Sequence, residues 1–314
     1  MHDIWNPWHG CIKYSEGCDN CYMYYLDKKH NESIDSSICK KTSNFNYPLQ
    51  RDKNGIYKVR DGETLRVCMT SDFFFSGADE FRDEAWEMMR LRPLLKFYVL
   101  TKRAERIKDH LPKNIGDEFG QWDTENMLFN VTCENQERAD ERIPILLELP
   151  FKHKGLMLAP ILSPIDIEPY LKTNQIEMVI CGGENYGGSR PCHYEWIVSL
   201  KEQCKKYGVT FNFTETGNTF VKDGKIYNLK GKTLQASQAY KSGLSFKGKD
   251  VDFKLHDEFF TPFENHYVPH FREKCIECAA RLTCNGCGDC NKCGKSIVSN
   301  EIIEEYDRNH KPWE

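Results

Sequence analysis

Between about residue 60 and residue 215, short apolar runs alternate with longer amphipathic stretches. The runs read as strands: Leu65 to Thr70, Phe97 to Thr101, Met127 to Cys133, Gly155 to Ala159, Glu177 to Cys181 and Val209 to Phe213. They are apolar almost continuously, which suits a strand covered on both faces better than one facing water. The intervening stretches carry apolar residues at helical spacing: Asp79 to Leu95, Arg103 to Leu111, Gln136 to Leu149, Pro164 to Leu171 and His193 to Tyr207. Such alternation predicts parallel βαβ units, because parallel neighbours need a long crossover and a helix supplies it. The expected fold class is α/β, with the sheet closing into a partial or complete barrel and functional groups at the C-terminal strand ends.

Three regions fall outside the alternation. Residues 30–62 are polar and turn-rich and read as an insertion. Residues 218–262 hold a hairpin signal around Val221-Lys222-Asp223-Gly224-Lys225-Ile226, then a stretch rich in Lys, Gly and Ser, and read as a lid or linker. Residues 263–314 contain a compact cysteine block and read as a small metal-binding segment, leaving 1–217 as the barrel.

Composition narrows the class. Hydrophobic residues make up 39% of the 314 and charged residues 29%, and no run approaches the roughly eighteen apolar residues of a membrane span. A cytoplasmic protein without membrane attachment is expected, since the opening MHDIWNPWHGC lacks the pattern of a signal peptide. A net charge of -4 gives no global argument for nucleic-acid binding, although a local basic groove is compatible with it. The 15 cysteines change the picture more, because clustered thiols in a reducing compartment bind metal rather than pair as disulfides.

Cys11, Cys18 and Cys21 lie in WNPWHGCIKYSEGCDNCYMYY. Three thiolates from one short loop can hold three irons of a cubane and leave the fourth open. Spacing alone equally allows a zinc site completed by His9 or a remote ligand, or buried free cysteines. The blocks WNPWHGC, GCDNCY, YVLTKR, VTCENQ, PILSPID and VICGGENYGGSRP follow one another in an order that resembles the phage-type three-cysteine radical S-adenosylmethionine-like family, over residues 4–217.

That resemblance implies a partial (βα)6 barrel of the radical S-adenosylmethionine type, with the cluster loop after a first short strand near Ile4 to Trp8. It implies a 4Fe-4S cluster on the three cysteines and reductive cleavage of S-adenosylmethionine. Radical modification of a nucleic acid, nucleotide or peptide would follow, with a flavodoxin or ferredoxin as electron donor. The chain departs from the family where Ala159-Pro160-Ile161 replaces a Glu-Pro-Leu string and where Thr214-Glu215-Thr216 replaces a Lys-Gln-Trp string. Strand-end polar residues are the expected contacts for S-adenosylmethionine: Ser71, Asp72, Thr132, Glu134 and Glu184. Gly182-Gly183-Glu184 is similar to an amine-binding Gly-Gly-Glu string, displaced to a late strand.

The second block holds Cys275, Cys278, Cys284, Cys287, Cys290 and Cys293. Its central spacing is that of a ferredoxin loop, so an auxiliary 4Fe-4S cluster is expected there, with zinc as the alternative. If both blocks held zinc, the chain would instead be a non-catalytic, metal-stapled protein touching nucleic acid through Lys222 to Lys254. Cys68, Cys133 and Cys181 sit in apolar runs, where a buried thiol is the expectation.

Overall fold

The computed structural model describes residues 4–30, 35–116, 121–186, 188–264, 271–272, 275–278, 297–298 and 305. Cys284, Cys287, Cys290 and Cys293 lie outside the described residues.

Seven parallel strands form one curled sheet, a half-barrel, in sequence order: β1 Ile4–Trp5, β2 Thr64–Val67, β3 Lys96–Thr101, β4 Met127–Thr132, β5 His153–Leu158, β6 Ile176–Gly182 and β7 Thr210–Glu215. Six crossovers join them. Helices α1 Tyr22–His30, α2 Asp79–Arg90, α3 Gln136–Glu148, α4 Glu168–Leu171 and α5 Tyr194–Tyr207 lie on five of these, and the crossover from β3 to β4 has, among its described residues, only 3-10 turns. All six apolar runs become strands, with ends displaced by a few residues.

The helical expectations shorten where proline intervenes. Asp79 to Leu95 is helical only to Arg90, because Pro93 disfavours a helical conformation at Arg92. Arg103 to Leu111 forms two 3-10 turns, Ala104–Arg106 and Lys108–His110, since a short stretch ending at Pro112 makes too few helical bonds to offset nucleation. Pro164 to Leu171 keeps only its last turn, started by Pro169. The first strand stops at Trp5 because Pro7 has no N–H to give the ladder, and Trp8–His9 pairs antiparallel with Lys40–Lys41 of the insertion.

Alternate side chains of the sheet feed two apolar layers. Leu65, Val67, Phe97, Val99, Phe129, Val131, Leu156, Val179, Phe211 and Phe213 point at the helices and join the main core. Leu128, Met178 and Ile180 point the other way and meet Tyr98, Met157, Val251 and Phe253 on the concave face. Cys68, Cys133 and Cys181 are buried as expected.

Residues 218–262 are structured. Strands β8 Thr219–Lys222 and β9 Lys225–Asn228 form the expected hairpin, with Asp223 and Gly224 at φ 51° and 71° as a primed turn needs. Helix α6 Lys232–Lys241 packs against β7, with Gln235 fully buried and bonded to the carbonyls of Asn185 and Leu229. Phe246 then exchanges two 2.8 Å bonds with Phe211, which covers the exposed edge of β7. No helix among the described residues is long and apolar enough to cross a membrane.

Candidate functional site

The cysteine loop leaves β1 and lies over the C-terminal ends of the strands. It starts at Gly10, whose φ is 108° and where a Cβ would stand 2.3 Å from the Ile38 carbonyl oxygen. Only glycine lets the insertion approach this closely, and the Cys11 N–H then donates to Ser36 O at 2.7 Å. A 3-10 turn, Glu16–Cys18, carries the middle cysteine, and Cys21 precedes the first turn of α1.

Four strand ends, those of β2, β3, β4 and β6, hold different points of this loop. After β2, Ser71 Oγ donates to Gly10 O at 2.6 Å. Asp72 accepts from Thr101 Oγ1 at 2.7 Å and from the Lys102 N–H at 2.8 Å, and pairs with Arg103 at 3.2 Å. Arg103 in turn reaches Ile12 O at 2.6 Å and places Nη1 3.6 Å from Cys11 Sγ. After β4, Glu134 accepts from Ser15 Oγ and from the Gly17 N–H, while Arg142 pairs with it at 3.0 Å. Both members of that ion pair are buried. After β6, Glu184 accepts from Asn20 at 3.0 Å and pairs with Arg190, which also donates to Glu16 O at 2.7 Å.

Charge follows this geometry. Burial pushes the Cys11 thiol up to about 12, with the Asp72 charge adding to it and Arg103 opposing. Burial also raises Cys21, against the Met23 and Tyr24 amides at the start of α1 and the Lys102 charge. Glu16 is held down to about 2 by its hydrogen bonds from Arg138. Burial pushes Glu184 upward, but the Arg190 bonds prevail and keep it below the usual carboxylate value.

Ser71, Asp72, Glu134 and Glu184 are thus brought to the same mouth as the three cysteines, and their polar atoms hold the loop. Thr132 differs: its Oγ1 is buried with no partner among the described residues. Both ring nitrogens of His9 are engaged, by Asp27 at 3.0 Å and Thr70 at 3.4 Å. Among the described residues no group of three or more His, Cys, Asp or Glu stands placed to hold a metal ion. Cys275 is buried near α6, to which Glu277 is tied by a 2.9 Å pair with Lys241.

Sequence reasoning missed Arg142, Ser15 and Asn20. Arg142 reads as an ordinary polar position of an amphipathic helix, and only the packing of α3 under the loop gives it a partner. Ser15 and Asn20 lie 119 and 164 residues from the carboxylates they bond.

The fold and site define a parallel half-barrel protein with a three-cysteine loop at its mouth. A family model described as protein of unknown function (DUF5131) matches residues 1–260, and the chain belongs to that family. No curated protein and no solved structure matches it.

Proposed function

We propose that the chain is a radical S-adenosylmethionine enzyme in which Cys11, Cys18 and Cys21 hold a 4Fe-4S cluster. The supporting observation is that one loop carries all three thiols and is clamped to four strand ends at the C-terminal mouth, where parallel βα folds collect their chemistry. The donor set suits the group: three thiols, with the Arg103 guanidinium beside Cys11 and the Lys102 charge acting on Cys21, so that thiolate charge has cations to offset it. Bound there with S-adenosylmethionine, the cluster would supply one-electron cleavage of a carbon–sulfur bond.

The chain's own residues bind and orient. Asp72 and Glu134 are positioning residues: the first aims Arg103 at Cys11, and the second fixes the Ser15-to-Gly17 turn. Thr132 Oγ1 is buried and unpartnered among the described residues, a strand-end polar atom whose hydrogen-bonding capacity is unused. We also assign the Cys275-to-Cys293 block a second site, a 4Fe-4S cluster or zinc.

Anaerobic reconstitution tests the reading. The Cys11→Ala/Cys18→Ala/Cys21→Ala variant should lose one cluster's worth of iron, and the unmodified protein should bind S-adenosylmethionine in a calorimetric titration. Unchanged iron in the variant, or a colourless protein with stoichiometric zinc, refutes the assignment.

A further inference from the structure

Beside the cysteine loop lies a patch that the proposed chemistry does not use. Tyr25 of α1, 45% exposed, stacks on Tyr186 with ring centroids 4.5 Å apart and planes inclined by 22°. Tyr22, which follows Cys21 directly, lies 6.5 Å from the same Tyr186 ring. Lys232, at the start of α6, stands 5.1 Å from the Tyr22 centroid. Lys28 and Lys29 are exposed three and four positions beyond Tyr25, so they are its neighbours on the helix surface.

None of Lys28, Lys29 and Lys232 has a carboxylate partner among the described residues. The one carboxylate of α1, Asp27, turns inward to His9 and Ser36. Some exposed cations elsewhere do have such a partner, as Lys41 with Glu84, Arg90 with Glu87 and Lys206 with Glu168. On a chain of net charge -4, these lysines border a stacked ring pair of which Tyr25 is exposed and Tyr186 half-buried, and this conjunction of rings and cations marks the site. Asn185, next to Tyr186, donates to Glu215 while its own side-chain oxygen is buried with no donor.

From this arrangement we infer that the patch binds single-stranded nucleic acid, one base stacking on the Tyr25–Tyr186 pair and the backbone phosphates lying along Lys28, Lys29 and Lys232. Rings that stack on any base face, bordered by cations that follow the backbone, are the two elements such binding needs. The inference rests on the proposed function for its consequence: the strand would be delivered to the mouth carrying Cys21, which makes a nucleotide unit the substrate class.

Fluorescence anisotropy with a labelled single-stranded oligonucleotide of about a dozen nucleotides tests it on the anaerobically purified full chain. Tyr25→Ala should weaken binding about tenfold or more, and Tyr25→Phe should leave it near the unmodified value, because the ring rather than the hydroxyl carries the stack. Lys28→Ala/Lys29→Ala should reduce the steepness of the log–log salt dependence by about 1.4, the contribution of two phosphate contacts. Absence of binding, binding that ignores salt, or equal affinity in Tyr25→Ala overturns the inference. The Cys11→Ala/Cys18→Ala/Cys21→Ala variant separates the two ideas. If it binds the oligonucleotide normally while the unmodified chain holds no iron, only the radical reading fails; if the unmodified chain holds its iron and ignores the oligonucleotide, only this inference fails.

Discussion

The two ends of the half-barrel are held by opposite chemistry. At the C-terminal mouth, buried or half-buried carboxylates from the strand ends grip arginines and the cysteine loop: Asp72 with Arg103, Glu134 with Arg142, Glu184 with Arg190. At the N-terminal end the titrating groups are histidines. His153 of β5 lies between Glu177 at 2.8 Å and Glu125 at 3.2 Å, with its ring 4.8 Å from Phe253. His256 contacts Asp123 at 2.7 Å. Residues 251–256 thereby strap the lower opening, and Val251 and Phe253 fill it with apolar surface. One end is organised to position polar groups around a loop, and the other to shut the lumen.

The largest expected effect strikes the mouth. Glu134→Ala leaves Arg142 buried without its carboxylate, and removing one partner of a buried pair costs about 3 to 5 kcal/mol. Urea unfolding should show that loss, and hydrogen exchange should show residues 11–21 opening before the strap. Equal loosening of both ends would mean that the ends are not separate units.

Gly10→Ala comes next. The substitution forces a left-handed backbone on alanine and drives its Cβ against Ile38 O, at a cost of about 1 to 3 kcal/mol. Proteolysis should reach the junction of residues 35–39 with the loop in the variant but not in the unmodified chain. Protection equal to the unmodified chain would show that the insertion does not brace the loop.

The smallest effect, and the sharpest comparison, is in pH. Glu184 is depressed in the folded state, so its contribution is complete above the ordinary carboxylate value and is lost as pH falls through the folded one. His153 and His256 move the other way: burial lowers both, but Glu177 and Glu125 for the first, and the Asp257 carbonyl and Asp123 for the second, outweigh it. Their contribution is complete below 6.5 and is lost as pH rises through the raised folded values. Exchange measured across pH should therefore show the loop region loosening in acid and residues 251–256 loosening above neutrality. A strap that tightens as pH rises would contradict the histidine assignment.

Much of the frame was legible in the chain. The apolar runs at Phe97, Met127 and Glu177 are too continuous for a one-sided sheet, and the helical stretches between them demand parallel crossovers. Asp223-Gly224 announced a hairpin through its turn chemistry. The gathering of Ser71, Asp72, Glu134 and Glu184 at one mouth follows from the parallel order itself, because every strand of such a sheet ends on the same side. Helix α6, which no pattern within residues 218–262 announced, shows where pattern reading stops. The stretch from Lys232 to Lys241 has little amphipathic signal, and its helix is held by the buried Gln235, Ala239 and Tyr240 against β7.

The sequence by itself determined which segments are strands, which glycines permit tight turns and which side of the sheet carries chemistry, because these follow from local sterics and hydrophobic period. Only the tertiary structure decided what each polar group does there. Hydrogen bonds and ion pairs act over a few ångströms, and the groups that make them here, Ser15 with Glu134 or Asn20 with Glu184, are brought within reach only when strands far apart in sequence lie side by side.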